Sequence, residues 1–588
     1  MSALEQNLSA PDFPERLSMD DLEVNMMKLV VVGGVAGGAS AAARVRRLDA
    51  KAEIVMFERG EHVSFSNCSL PYYLSGIIGE SSSLILMTPE KFKMQHDIDA
   101  RVNSEVTKID RKQKTVTVKN TLTGETYEEK YDKLVLAPGA MPVLPKSIKG
   151  IDAENVFTIR NVTDICALKA YLDQKNAENI AVVGGGFIGI EVAENLSSAG
   201  KKVKLIEGTE QILAPFDYDM VQILHKELDD NGVELFLSTS VTAIEKDCVL
   251  AGDKKIEADA VVMAIGVAPV PWLAKQAGLK IGETGGIWFN HNYQTSDPDI
   301  YAVGDAVESY NSLTHRPGRL ALAGPAQRQA RAAADHICGI PHNNKGYIGS
   351  SCIRVFSQNA AATGLNEKAA KAAGYNCDSV LIFPTDKVGL MPDSHYMAFK
   401  LIFEVPTGRI LGAQAIGKGA ADKRVDTIAA MITMNADLED LKELELCYSP
   451  VFSTAKDVVN MAAMVGLNIL YNCFSQVHVS EVRKLAESGA YIVDVRESAE
   501  FENGHIKGAH NIPLSQLRQR MDEIPRDIPV YLHCRSSQRS YYAICALQGN
   551  GYTNVSNISG SFLGICLYEY FNDKSENRSP IVDRYNFN

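Results

Sequence analysis

Two of the eleven cysteines in this chain keep company that suggests chemistry. Cys68 lies in SFSNCSLPYY, residues 64 to 73, among serines and an asparagine that make poor core material. A free cysteine is most often a small buried hydrophobe, and these polar neighbours weigh against that reading. Pro71 with Tyr72 and Tyr73 suits a helix start, where a thiolate is stabilised. No second cysteine stands near Cys68 in the sequence to form a local dithiol pair; residue 63 is Val and residue 73 is Tyr. A third reading is a single cysteine that borrows its partner sulfur from a small thiol. Cys534 opens CRSSQR, between a buried-strand pattern (VYLH) and a helix beginning near Arg539. In such a loop successive backbone N–H groups and the positive helix end converge on the sulfur, favouring a thiolate and then an anionic persulfide.

The elements that must position these sulfurs begin with KLVVVGGVAGGASAAARVRRL, residues 28 to 48: an apolar strand, a glycine turn and an alanine-rich helix. Gly33 permits the tight turn and Gly38 lets helix and strand pack closely. The loop through Gly34, Ala36 and Gly37 offers free N–H groups to a pyrophosphate. Val35 takes the second glycine position of the fingerprint. The next strand, EIVMFERG, ends in Glu58, placed to grip ribose hydroxyls. A second copy, NIAVVGGGFIGIEVAENLSSAGKKVKLIEG, carries Gly184, Gly186 and Gly189 and closes its next strand at Glu207. Two such units imply two dinucleotides. In TSDPDIYAVGDAVE a strand ends at Gly304 and Asp305, so a carboxylate faces the ligand crevice.

Composition narrows the field. A length of 588 residues with 46% hydrophobic content suggests three or four domains. No apolar run approaches the ~18 residues of a membrane span, and residues 1 to 26 are polar and acidic rather than signal-like, a loose tail. An odd number of cysteines without paired spacing fits reduced thiols in a cytoplasm. No CxxC or clustered Cys/His spacing suggests a metal. A net charge of -13 argues against nucleic acid.

Taken in order, GGVAGG, GGGFIG and VGD resemble the two-dinucleotide flavoprotein reductases over residues 28 to 465. The resemblance implies FAD in the first unit, with Asp305 on its ribitol chain, and a nicotinamide in the second. SFSNCSLPYY is similar to the SFxNCxxPY motif of the coenzyme A disulfide reductases, in which Cys68, beside Asn67, would be the relay. Asp494-Val-Arg496, GHIKGA and the Cys534 loop resemble the rhodanese sulfurtransferases over about 478 to 576, with Cys534 and Arg539 as the residues the chemistry requires. Ser537 stands where many rhodaneses carry glycine, which bears on the curvature of the loop. A reductase followed by a rhodanese resembles the fused members of the family, NADH-dependent persulfide reductases among them.

The implied fold is α/β: two Rossmann-like FAD- and NAD-binding domains, an α+β dimerisation domain and a C-terminal α/β rhodanese domain. The expected boundaries are a polar tail at 1–27, FAD-binding segments at 28–150 and 275–345, and NAD binding at 151–274. A dimerisation domain at 346–470, a linker at 471–477 and the rhodanese domain at 478–578 follow. The resemblance further implies that Ser40, Arg47, Ser64 and His96 touch coenzyme A. By spacing alone, Ser40 and Arg47 share a helix face that could equally be solvated. YSPVFSTAKD is similar to the family's YxPPxSxAKD, in which Tyr448 would reach the other subunit's cysteine as a hydrogen-bond donor or acid; a packed interface tyrosine is the plainer reading. A second family tyrosine is replaced by Met391 before Pro392, and the nearby Tyr396 does not match its spacing.

The expected activity is flavin-dependent reduction of coenzyme A disulfide, coenzyme A persulfide or polysulfide by NADH in a cytoplasmic homodimer, with the rhodanese domain supplying sulfane sulfur. Glu207 with no arginine directly after it favours NADH over NADPH. An NADH oxidase or peroxidase, or a non-enzymatic persulfide sensor, are the alternatives.

Overall fold

Residues 26–342 and 344–587 are described by the computed structural model, so the expected tail lies outside the described residues apart from Met26 and Met27. Strand Lys28–Val32 is apolar on both faces because it runs through the middle of a parallel sheet. The sheet order is Ile300–Ala302, Lys133–Leu136, Lys28–Val32, Glu53–Phe57, Asp99–Arg101. Helix Ala36–Leu48 covers one face and packs its alanines with those of Ala323–Ile337 in one core. An antiparallel three-stranded sheet, Ser104–Asp110, Thr115–Asn120 and Thr126–Lys130, covers the other.

The second nucleotide unit repeats the plan with a parallel sheet ordered Glu234–Phe236, Lys202–Ile206, Asn179–Val183, Ala260–Met263, Val156–Phe157. The chain passes between the two units along an antiparallel pair, Ala140–Pro142 with Val267–Pro269. Leu273 and Ala274 then already lie in the first sheet's core beside Val30, Val106 and Ile300.

A five-stranded antiparallel sheet, ordered Ser351–Val355, Gln358–Gly364, Ile410–Gly417, Met397–Glu404, Cys377–Ile382, forms the third unit, with helices Ala421–Thr433 and Val458–Leu470 sharing its core. It is joined to the second unit by a buried cation. Lys400 Nζ lies 2.8 Å from Asp219, 3.3 Å from Asp217 and 2.8 Å from Glu367. Asp217 and Gln414 add a reciprocal pair of hydrogen bonds, at 2.8 and 2.7 Å. Burial opposes charge on Glu367, but Lys400 outweighs it and holds the carboxyl down at about 2.

The last sheet is parallel, ordered Ser475–Val477, Val555–Ile558, Val530–His533, Tyr491–Asp494, His510–Asn511. The expected linker at 471–477 therefore ends as an edge strand. Its residues are too few to show alternation in sequence, and their pairing with Val555–Ile558 is remote in the chain. Gln476 also donates to Ser379 O at 2.9 Å, docking this unit on the third. Tyr218 donates to Asn572 at 2.9 Å and Lys574 pairs with Asp229 at 2.5 Å, docking it on the second.

Candidate active site

The first glycine loop is shaped for a ligand backbone. Gly33 has φ +101°, and a Cβ there would fall 2.1 Å from Ala137 O; a Cβ on Gly38 would fall 1.8 Å from Gly33 O. Only glycine lets strand, turn and helix close up this way. Val35 is accommodated because it sits at the helix N-cap with φ -103°, where no glycine conformation is required. Glu58 accepts hydrogen bonds from Gly34 N and Gly60 N, both at 2.9 Å. An open cleft with a cavity volume of about 200 Å³ runs from Glu58 and Arg59 past Gly33, Ala36 and Gly37 to Asn67 and Asp305. One end thus offers a carboxylate, the middle a helix N-terminus without acidic side chains, and the far end Asp305. Burial pushes the Asp305 carboxyl up while Arg160, also in the cleft, draws it down. This sequence of groups fits FAD in chemistry.

The second loop repeats the geometry: Gly184 has φ +111°, and a Cβ on Gly189 would fall 1.9 Å from Gly184 O. A Cβ on Gly186 would meet nothing within 4 Å, so the loop presents an open backbone face at that point. Glu207 accepts from Gly185 N at 2.6 Å and from Thr209 N at 2.8 Å, which fixes the carboxylate beside the loop. This donor set fits a nicotinamide dinucleotide.

Cys68 stands exposed in a 3-10 turn, Asn67–Ser69, directly before helix Pro71–Leu74. Ser64, with φ +47°, ties this stretch to the first glycine loop through Ser64 N to Gly34 O at 2.8 Å. The expected stabilisation of a Cys68 thiolate by the helix start is not what the structure shows. The helix is four residues long and carries little dipole; burial, followed by the carboxylates of Glu191 and Asp305, pushes the thiol up. Glu191 itself is pushed up to about 7 by burial and by Glu194. It projects from helix Phe187–Ser198 of the second fingerprint, which Ser75 clasps through Asn195 at 2.6 Å. Sequence reasoning missed Glu191, although a carboxylate inside the apolar run FIGIEVA was a visible signal.

Of the residues expected to touch coenzyme A, Ser40 is half-buried and Arg47 exposed on helix Ala36–Leu48. His96 ends helix Pro89–His96, whose C-terminus is clasped by Arg46 through His96 O and Asp97 O, each at 2.9 Å. Arg46 is thus consumed by carbonyls, while Arg47 has no ion-pair partner among the described residues. Tyr448 is 51% exposed beside Val451 and Phe452, and no hydrogen bond engages its hydroxyl among the described residues. Tyr396 lies within electrostatic reach of Arg535 in the Cys534 loop.

Cys534 is 1% exposed, at the end of strand Val530–His533. Its N–H donates to Ser561 Oγ at 3.2 Å, and Ser540 Oγ lies 3.7 Å from its sulfur. Ser537 adopts φ +75° and so supplies the left-handed turn itself. Its Oγ compensates by bonding Ile558 O at 3.2 Å and Ser561 Oγ at 3.1 Å. Arg539 is held by Glu500 in a two-pronged pair at 2.6 and 2.7 Å, a partner with no signal in the sequence. Asp494 and Arg496 form a fully buried pair at 2.5 Å, and Arg496 also donates to Gly504 O at 2.7 Å, pinning the GHIKGA segment.

Two glycine-rich dinucleotide loops, an exposed cysteine next to Asn67 of the first cleft, and a second sulfur in a loop of its own define a flavin- and nicotinamide-dependent disulfide oxidoreductase joined to a sulfurtransferase fold. Residues 27–330 match the pyridine nucleotide-disulphide oxidoreductase family, residues 351–458 its dimerisation domain, and residues 478–567 the rhodanese-like domain. The chain belongs to the pyridine nucleotide-disulphide oxidoreductase family. It is 33% identical to the coenzyme A disulfide reductase of Staphylococcus haemolyticus over 441 residues, 74% of this chain and 98% of that one. Among solved structures it is similar to reduced Bacillus anthracis CoADR-RHD, with 43% identity, TM-score 0.89, and coverage of 93% of this chain and 99% of that one. A NAD-dependent persulfide reductase from A. fulgidus shares 34% identity with TM-score 0.87, covering 92% and 100%. The water-forming NADH oxidase from Lactobacillus brevis shares 28% identity with TM-score 0.73, over 76% of this chain and 99% of that one. No helix among the described residues is long and apolar enough to cross a membrane.

Proposed function

We propose that this chain uses NADH to reduce coenzyme A disulfide, or a coenzyme A persulfide or polysulfide, with Cys68 exchanging sulfur with the substrate and Cys534 carrying sulfane sulfur. The observation that carries the reading is the setting of Cys68: an exposed single cysteine between the FAD cleft at Asn67 and Asp305 and the helix that bears Glu191. When bound, the flavin supplies two-electron chemistry between nicotinamide and sulfur. Cys68 attacks one sulfur of the substrate, forms a mixed disulfide and expels the other sulfur as a thiolate. Glu191, held at about 7, is suited to give or take the proton at this step. The coenzyme A contacts fall to Ser40, Arg47, Ser64 and His96.

Cys534 takes a sulfane sulfur as a persulfide and hands it to a coenzyme A thiol, whose persulfide then reacts at Cys68 and leaves sulfide. The name of the Bacillus anthracis neighbour and that of the persulfide reductase support this division. The matched dimerisation domain and the exposed surface at Leu390, Tyr448, Val451 and Phe452 support a homodimer in which Tyr448 of the partner subunit donates a hydrogen bond at Cys68. Glu207 supports NADH over NADPH, and eleven cysteines without a disulfide among the described residues support a reducing, cytoplasmic setting.

The oxidase reading rests on a neighbour whose likeness extends over only 76% of this chain, which leaves the last unit without a role. Anaerobic NADH consumption separates the two. Turnover that requires coenzyme A disulfide, with a coenzyme A adduct on Cys68 in the unreduced protein, is expected. Stoichiometric oxygen uptake without any disulfide would replace this reading with the oxidase.

A further inference from the structure

Helix Ala421–Thr433 turns Ala421, Val425, Ile428 and Ile432 inward, and the same buried face carries an arginine, Arg424, 2% exposed. A guanidinium keeps its charge when buried, so the acceptors that meet it decide what it holds. Its Nη2 donates to Asp386 O at 2.8 Å, to the Asp457 carboxylate at 3.2 Å and to Phe452 O at 3.5 Å; its Nη1 donates to Ala420 O at 3.3 Å. Asp386 closes the loop that bears Leu390, accepting from His395 N at 2.8 Å and giving its own N–H to His395 O at 2.9 Å. Phe452 and Asp457 belong to the segment that begins at Tyr448, and Asp457 caps helix Val458–Leu470 by accepting from Val459 N at 3.3 Å. Within that segment Ser453, 1% exposed, donates to Cys447 O at 3.3 Å. The N–H groups of Phe452 and Ser453 both reach Ser449 O, at 2.9 and 3.1 Å. The residues directly before and after Tyr448 are thus tied down, while the tyrosine itself, with Leu390 and Phe452, stays exposed.

We propose that Arg424, with Ser453, is a positioning residue for disulfide reduction: it holds the Tyr448 segment and the Leu390 loop in one register, so that Tyr448 meets the partner subunit's Cys68 at a fixed place. This rests on the reading of Tyr448 given above and adds what aims it. The Tyr448 hydroxyl has no hydrogen bond of its own among the described residues, so its aim is inherited from the backbone that Arg424 and Ser453 fix. Asp457 keeps the buried guanidinium paired, and the carbonyls of Asp386 and Phe452 turn that pair into a clip between two loops that are far apart in sequence.

The test is a double-mutant cycle on the full chain with its flavin bound, made from Arg424→Met, Tyr448→Phe and the two together, with NADH and coenzyme A disulfide as substrates. Arg424→Met should lower kcat by about ten- to a hundredfold, the scale of a misplaced group and no more than the loss in Tyr448→Phe. The KM for coenzyme A disulfide and the anaerobic rate of flavin reduction by NADH should stay within about two-fold. In the Tyr448→Phe background the same substitution should cost nothing further, because the group it aims is already gone. Where Arg424→Met loses flavin or the dimer, Ser453→Ala, which leaves every charge in place, goes through the same cycle with the same expectation. An equal further loss in the Tyr448→Phe background, or a slowing of flavin reduction as large as the loss in kcat, would overturn the positioning role. So would full turnover in Arg424→Met beside an impaired Tyr448→Phe. Full turnover in Tyr448→Phe would overturn the reading of Tyr448 itself, and this role with it.

Discussion

Cys68 stands exposed in a short turn with the carboxylates of Glu191 and Asp305 around it, whereas Cys534 is 1% exposed in a loop flanked by Arg535 and Arg539. Charges of the chain oppose a thiolate at the first sulfur. At the second, the hydroxyls of Ser540 and Ser561, at 3.7 and 4.0 Å, face the sulfur from within one unit. The difference teaches a division of labour. On the proposed reading, exchange at Cys68 depends on what binds beside it, while the side chains that meet the Cys534 sulfur, Ser540 and Ser561, come from its own unit.

The strongest test of this contrast removes the exposed sulfur. Cys68→Ser should keep flavin absorbance yet lower NADH-dependent coenzyme A disulfide reduction by at least about 10³-fold, since a lost nucleophile cannot be replaced by positioning alone. Cys534→Ser should abolish sulfur transfer to coenzyme A while leaving the disulfide reductase assay within about two-fold. Collapse of both assays in that variant, with flavin retained, would join the two centres into one obligatory path.

Tyr448→Phe should reduce disulfide turnover by about ten- to a hundredfold, the scale of a lost proton donor. Mixed dimers of one Cys68→Ser chain with one Tyr448→Phe chain should keep about half of wild-type activity, because one site is then intact; near-zero activity would place both residues in a single chain. For Glu191→Gln the expected effect is on titration. Removing a carboxylate that raises Cys68 should move the pH at which the reduced thiol is alkylated downward, and an unchanged profile would show that Glu191 does not act on it. The sign for stability follows from the same group. Glu191 rises from 4.5 to about 7 on folding, so the stability linked to its protonated form is fully present below 4.5 and lost as pH climbs through 7. The glutamine variant should flatten that slope in a denaturation series. The smallest effect is expected at Ser537→Gly, where relief of a left-handed serine offsets two lost hydrogen bonds, and stability should stay within about 1 kcal/mol of wild type.

Features set by a few adjacent residues were legible in the chain. Gly33, Gly38 and Glu58, and their counterparts Gly184, Gly189 and Glu207, announce strand, turn and helix because the close approaches they permit are local in sequence. The Cys534 loop was legible for the same reason. What escaped depends on distant segments meeting. Glu191 faces Cys68 only because two nucleotide units lie side by side, and Glu500 reaches Arg539 across 39 residues. Strand Ser475–Val477 pairs with a segment some eighty residues on, and its three residues carry no alternation of their own. The helix start at Pro71 was read rightly as a helix, but its electrostatic effect was outweighed by carboxylates no local motif shows.

Lys400 carries a dynamic consequence. One buried ammonium shared by Asp217 and Asp219 of the nicotinamide unit and Glu367 of the dimerisation unit acts as a rivet between them. A rigid-body swing of the nicotinamide unit would part Lys400 from Asp217 and Asp219 while Glu367, from its own unit, stays with it. The resting molecule therefore ties the nicotinamide unit to the dimerisation unit at a point away from both cysteines, through two buried ion pairs that any swing between them must break.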